Sequence, residues 1–99
     1  MHIISRKKLK SFYEKPNFRA AEGPLKAWFH DVRHDEWRTP ADVKAKYGSA
    51  SFLKGNRIVF NIGGNKYRIL VKVNYSLKIV FIRFVGTHKA YDQIDAEVI

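Results

Sequence analysis

Arg57-Ile58-Val59-Phe60-Asn61-Ile62, then Gly63-Gly64-Asn65, then Lys66-Tyr67-Arg68-Ile69-Leu70-Val71-Lys72-Val73-Asn74-Tyr75 is the stretch that decides the fold. Hydrophobicity alternates with a period of two on both sides of a glycine pair, which is the signature of two strands joined by a tight turn. After Ser76-Leu77 a third, largely apolar run extends from Lys78 to Val85. The three runs predict an antiparallel meander.

Its faces follow from the turns. With Gly63-Gly64 as a two-residue turn, Ile58 and Phe60 oppose Ile69 and Tyr67; with Ser76-Leu77 as the next, Val71 and Val73 oppose Ile82 and Val80. One face then collects Ile58, Phe60, Ile62, Tyr67, Ile69, Val71, Val73, Val80, Ile82 and Phe84. The other collects Arg57, Asn61, Lys66, Arg68, Lys72, Arg83 and Thr87, with Val59, Leu70, Phe81 and Val85 among them. Turns of four residues leave these faces unchanged, whereas a slip of one residue exchanges them.

Upstream, Met1 to Ile4 reads as a short strand. Ser5 can cap a helix whose apolar positions are Leu9, Phe12 and Tyr13, and Pro16 closes it. Phe18, Ala21, Leu25, Trp28, Phe29 and Val32 recur at helical spacing, interrupted by Gly23-Pro24, which predicts either a kink or a restart with Pro24 in the first turn. Thr39-Pro40-Ala41-Asp42 opens a third, short helix that stops near Gly48. The expected fold is α+β: an N-terminal strand and two to three helices packed on one face of an antiparallel β-sheet. The order is β-α-α-(α)-β-β-β with a short C-terminal helical turn, and the chain forms one domain over residues 1–99. The apolar sheet face is the seat for Leu25, Trp28, Phe29 and Val32, and no helix is left to cover the other.

Composition narrows the function. Of 99 residues 45% are hydrophobic and 14% aromatic, enough for a packed core and against disorder. The chain has no cysteine, which removes disulfides, thiolate zinc sites and cysteine nucleophiles. No apolar run approaches the ~20 residues of a membrane helix, and the N-terminus does not read as a signal peptide, so a cytoplasmic chain without a membrane partner is expected. The net charge of +10 is concentrated: Val43 to Tyr91 holds ten basic residues and no acidic one, while the remainder balances at nine against nine. A half-domain of one sign points to a polyanion, nucleic acid before an acidic protein.

The face bearing Arg57, Lys66, Arg68, Lys72 and Arg83 has no carboxylate, and such crowding is tolerated only in water or against an anion. Arg83 is the sole charge within the most apolar strand; it either contacts phosphate or pairs with Asp92, Asp95 or the C-terminal carboxylate. His88 ends that strand, and Tyr91 follows three residues later on the same side of a helical turn. An imidazole, with an ordinary pKa near ~6.5, can act as base or acid at neutral pH. His30 and His34 share a helix face at i and i+4, but without a third ligand no metal is expected. Asn61-Ile62-Gly63-Gly64-Asn65 lies in a hairpin and opens no helix, so it is not a nucleotide-binding phosphate loop. There is neither a serine elbow, a carboxylate dyad nor a helix-turn-helix pattern. Phe81 is the aromatic side chain expected on the basic face.

Val59-Phe60-Asn61-Ile62-Gly63-Gly64-Asn65-Lys66-Tyr67-Arg68 and Thr87-His88-Lys89-Ala90-Tyr91-Asp92 resemble the HigB-type toxin family, a branch of the RelE-like messenger-RNA interferases of bacterial type II toxin-antitoxin systems. The order of elements is similar over nearly the whole chain. The resemblance implies helices on one side of an antiparallel sheet and RNA on the other. It implies cutting of messenger RNA, in the ribosomal A site, by attack of a ribose 2′-OH on the adjacent phosphate, with no cofactor and no metal. It also implies neutralisation by a cognate antitoxin, HigA-like, with autoregulatory DNA binding only through that antitoxin. Residue by residue, Arg68 matches the arginine of the N-x-x-R strand, His88 and Tyr91 match the T-H-x-x-Y-D ending, and Arg83 matches a basic position in the last strand. Either His88 or Tyr91 would be the base and the other the acid, and Arg68 and Arg83 would both be catalytic by stabilising the extra negative charge on the phosphorane. Ala90 and Phe84 depart from the family pattern, where acidic residues are more usual. Arg57, Asn61, Lys66, Lys72 and Lys89 would then bind RNA, and Lys7, Lys8, Lys10, Lys44, Lys46 and Lys54 would contact ribosomal RNA. Two other readings of the same charge remain: a nonenzymatic RNA- or ribosome-binding module, and a protein whose basic face docks an acidic partner.

Overall fold

The computed structural model describes residues 1–99. Strand β1 (His2–Ile4) leads into helix α1 (Arg6–Tyr13), a 3-10 turn at Pro16–Ala21, helix α2 (Glu22–His34) and helix α3 (Pro40–Lys46). Then come β2 (Ser51–Leu53), β3 (Arg57–Ile62), β4 (Tyr67–Asn74), β5 (Ile79–Thr87) and a single helical turn, α4 (His88–Tyr91). Helix α1 buries Leu9, Phe12 and Tyr13, as its spacing requires. At Gly23-Pro24 the restart is the outcome: α2 begins at Glu22 with Pro24 in its first turn, where a missing N–H costs nothing. Helix α3 starts at Pro40, but the Thr39 side chain caps nothing; Asp42 Oδ2 instead accepts from the Arg38 N–H at 2.8 Å.

The helices cover one face of a five-stranded sheet in the order β1-β5-β4-β3-β2, so the α+β class holds. Two features of the sheet differ from expectation. Residues 51–53 add a fifth strand, too short to show alternation, paired antiparallel to β3. And β1 runs parallel to β5, His2 opposite Ile79 and Ile4 opposite Phe81, so the sheet is mixed. The core lies between helices and sheet: Trp28 meets Phe60 edge-on at 5.4 Å, Phe12 meets Tyr67 at 5.8 Å, and Trp37, 2% exposed, lies along Phe60 at 6.0 Å.

The β3–β4 turn spans four residues rather than two. Ile62 opposes Tyr67 and Phe60 opposes Ile69, so the register shifts by two and the faces are kept. The turn needs its composition: Gly63, Gly64 and Asn65 all have left-handed φ, at 63°, 65° and 76°.

Between β4 and β5 the faces change. Val71 opposes Ile82 and Val73 opposes Val80 as expected, but Leu70 opposes Phe84, leaving Arg83 as an extra residue in a bulge. Beyond it every side chain of β5 is exchanged: Val85 and Thr87 turn to the core side with Ile69 and Tyr67, and Phe84 turns to the basic side with Leu70. The placement of Phe84 on the core face, and of Val85 and Thr87 on the basic face, is thereby corrected.

The basic face is also less open than its sequence suggests. Val59 and Leu70, which oppose each other there, are 1% and 0% exposed. Tyr91 stacks on Arg68 at one end of this pair, and at the other the main-chain oxygen of Ile99 accepts from Arg57 Nε and Nη2, each at 3.3 Å. The C-terminal segment therefore starts beside Arg68 at one end of the face and returns to Arg57 at the other.

Candidate active site

The corner where β4, β5 and α4 meet gathers the chemistry. Thr87 is the N-cap of α4, its hydroxyl accepting from the Ala90 N–H at 3.0 Å. The His88 N–H donates to the Lys66 carbonyl at 3.1 Å, pinning the turn to the tip of the β3–β4 hairpin. Those two bonds fix His88 at the first helical position and Tyr91 three residues on, so both side chains share one side of the turn. Asp92, one residue further, faces His88: Nδ1 to Oδ2 is 3.2 Å. A carboxylate at Nδ1 orients the ring and turns Nε2 away from it. Reasoning from sequence passed over Asp92 as a site residue, although its i, i+4 spacing from His88 carried the signal.

Arg68 faces this turn from β4. Its guanidinium lies 5.3 Å from the centre of the Tyr91 ring, and Nη2 donates to Asn65 Oδ1 at 3.2 Å. No carboxylate pairs with it, and its buried Nε has no hydrogen-bond partner. A buried donor left unmet costs about 1–3 kcal/mol, so the arginine is held where an incoming anion would be welcome. Opposite Arg68 on β5 is Gly86, and Phe84 lies over it: a Cβ at Gly86 would stand 2.6 Å from Phe84 Cζ. The ring that the missing Cβ admits is 6.2 Å from that of Tyr91.

Arg83 lies outside this corner. It is exposed, pairs with no carboxylate, and stands three residues along β5 from Gly86, about 10 Å in an extended strand. Its own neighbour is the ring of Phe81 at 5.7 Å, and it borders a cleft with Lys7 and Lys8 of α1. The C-terminal main-chain oxygen offered to Arg83 as a partner goes to Arg57 instead. Among the remaining cations of the basic face, Lys66 sits in the hairpin turn beside α4 and Lys72 opposes Arg57 at the far end; Lys89 projects from α4, exposed. Asn61 opposes Arg68 but donates its amide to the Ser49 carbonyl at 3.1 Å, bracing the approach to β2.

The outlying lysines divide by edge. Lys7, Lys8 and Lys10 are exposed on α1, near the β5 edge. Lys44, 6.0 Å from the Phe52 ring, and Lys54, which follows Leu53, lie at the β2 edge, and Lys46 is the last residue of α3. Lys44 donates to the Gly48 and Ala50 carbonyls, and Lys46 reaches Asp35 at 2.7 Å. That last contact belongs to a brace at the rim of the core. Burial pushes the Asp35 carboxyl up, but hydrogen bonds from Lys46 and Tyr47 outweigh it and hold it below its ordinary range. The same bond raises Lys46, and Tyr47 is pushed far up, first by burial and then by its bond to Asp35. His34 Nδ1 is 2.8 Å from the His30 carbonyl oxygen, and no three His, Asp or Glu side chains gather as metal ligands would. No helix is long and apolar enough to cross a membrane.

Known proteins share this arrangement of sequence. Residues 21–94 match the HigB_toxin family, described as the RelE-like toxic component of a toxin-antitoxin system. The chain belongs to the HigB toxin family. The mRNA interferase toxin HigB of Escherichia coli (strain K12) is 34% identical over 94 residues, covering 93% of this chain and 88% of the relative; mRNA interferase HigB of Shigella flexneri matches to the same extent. The mRNA interferase HigB of Escherichia coli O6:H1 is 25% identical over 97 residues, covering 95% and 91%. Within this HigB-family fold, the sites proposed from sequence fall into one corner (Arg68, His88, Tyr91) and a basic surface extending away from it.

Proposed function

We propose that this HigB-family chain is the endoribonuclease of a type II toxin-antitoxin pair, acting as one domain over residues 1–99. It cuts messenger RNA in the A site of a translating ribosome and so arrests translation. The observation that carries the reading is the corner in which Arg68, with no carboxylate partner, faces His88 and Tyr91 on one helical turn. The names of the relatives, each an mRNA interferase, support the same chemistry.

The nucleophile is supplied by the substrate. One of His88 and Tyr91 takes the proton of a ribose 2′-OH, whose oxygen then attacks the adjacent phosphorus; the other protonates the departing 5′-oxygen. Arg68 carries the added negative charge of the phosphorane, a contact typically worth ~3 kcal/mol in the transition state. The products are a 2′,3′-cyclic phosphate and a 5′-hydroxyl, and no metal is needed. Asp92 acts through His88 as a positioning residue. Arg57, Lys66, Lys72 and Lys89 grip the strand beyond the corner, and the outlying lysines meet ribosomal RNA. A cognate HigA-like antitoxin holds the chain inactive in the bacterial cytoplasm, and operator binding belongs to that antitoxin.

The test is 5′-end mapping of a defined messenger incubated with the purified chain, with and without translating ribosomes. The expected result is in-frame ends that need ribosomes and disappear with His88→Ala or Arg68→Ala. Ends that persist in both variants would remove the site described. No ends under either condition would leave the nonenzymatic RNA-binding module.

A further inference from the structure

Where β1 stops at Ile4, the rest of the β5 edge has no strand beside it, and α1 crosses there instead. Between them is an open cleft of about 480 Å³. Its walls carry Lys7, Lys8 and Lys15 from the α1 side and Arg83 from the bulge, with no carboxylate among them. None of the four is in an ion pair. Phe84 also lines it, the ring that the bulge turns to the basic face and that Gly86 allows to lie close to the strand. The same ring is 6.2 Å from Tyr91. Phe84 therefore joins two places that the sequence keeps apart: the corner with Arg68 and a cluster of unpaired cations on the far side of the strand.

We propose that this cleft is a nucleotide subsite, in which a base stacks on Phe84 next to the scissile phosphate while Lys7, Lys8, Lys15 and Arg83 hold the flanking phosphates. The ligand is single-stranded RNA, because an aromatic face ringed by cations suits alternating bases and phosphates. The assignment rests on the RNA-cleaving reading above. It moves Lys7 and Lys8 from ribosomal RNA to the messenger, gives Arg83 a role beside the reaction rather than at the phosphorane, and makes the bulge the device that aims both Phe84 and Arg83.

The experiment separates binding from cleavage by using a short oligoribonucleotide, 2′-O-methylated throughout so that it cannot be cut, with one 2-aminopurine as a stacking reporter. Binding is measured from low to moderate salt for the unaltered chain, Phe84→Leu, Phe84→Trp, and a chain carrying Lys7→Ala, Lys8→Ala and Lys15→Ala together. Arg33→Ala, on α2, is the charge control, and circular dichroism verifies folding. Phe84→Leu is expected to weaken binding roughly tenfold or more and to abolish the quenching of 2-aminopurine, while Phe84→Trp keeps both. The triple variant is expected to lower the slope of log affinity against log salt by about 2. Affinities and slopes no different from Arg33→Ala would overturn the subsite. So would variants that keep RNA binding but lose affinity for poly-glutamate, since the cleft would then be a site for an acidic polypeptide. If binding depends on Phe84 and the lysines yet no messenger is cut, the subsite stands and the cleavage reading falls. If messenger is cut at an unchanged rate by Phe84→Leu and the triple variant, the reverse holds.

Discussion

The two faces of the sheet are made by the same alternation and treat their polar groups in opposite ways. On the helix side, Phe60 is enclosed by Trp28, Trp37 and Tyr47, and the ionisable groups at the rim satisfy one another: Asp35 takes Lys46 and Tyr47, both at 2.7 Å. On the other side, Arg68 keeps a buried Nε with no acceptor, Arg83 pairs with no carboxylate, and a bulge interrupts the ladder. A face that spends its charges internally contributes to stability and offers a ligand little. The face that leaves them unspent is less favourable in the free chain and fit for a polyanion.

Four substitutions break or sharpen this contrast. Phe60→Ala removes the ring that two tryptophans pack on and is expected to cost about 3–5 kcal/mol, read from the denaturant midpoint, a large share of the stability of a domain this size. Arg68→Ala is the mirror case. It is expected to lower messenger cleavage about 10²–10³-fold while leaving the midpoint almost unmoved, and a comparable loss of stability would make the arginine structural. Asp35→Asn is expected to cost on the order of 1–2 kcal/mol at pH 7. The Asp35 carboxyl is held below its unfolded value of 3.8, so this stabilisation is present above that value and lost as the pH falls through the lower, folded one. The gap in midpoint between Asp35→Asn and the unaltered chain should therefore be full at pH 7 and close as the pH falls below 3.8. Gly86→Ala has the smallest expected effect on stability, within about 1 kcal/mol, because the atom it meets is the mobile end of Phe84. It should nonetheless displace that ring from Tyr91, seen as a changed Tyr91 resonance by NMR.

The contrast also explains what could be read from the sequence. From Arg57 to Val73 each strand has polar residues to fix its phase, so its faces survived even a hairpin turn two residues longer than expected. From Ile79 to Val85 the only polar residue is Arg83, and a run apolar on both sides defines no phase; the bulge was invisible there, and with it the true positions of Phe84, Val85 and Thr87. Ser51-Phe52-Leu53 is too short to alternate. The segment after Tyr91 reads only as a short helical tail, which concealed that its end returns to Arg57. Arg68, His88 and Tyr91 were legible as candidates because each is a reactive side chain at a strand end or turn. Asp92 stands at a spacing from His88 that could have marked it, but its part depends on His88 already being fixed.

The parallel pairing of β1 with β5 also orders events as the chain is made. Residues 2–4 have no strand partner until residues 79–81 exist, and Phe84, His88 and Tyr91 come later still. A nascent chain emerging from the ribosome carries its basic helix α1 long before it has either the edge against which α1 forms the cleft or the turn that bears His88 and Tyr91. The first and last strands close the sheet together, so the corner of Arg68, His88 and Tyr91 is assembled only when synthesis of this stretch is nearly complete.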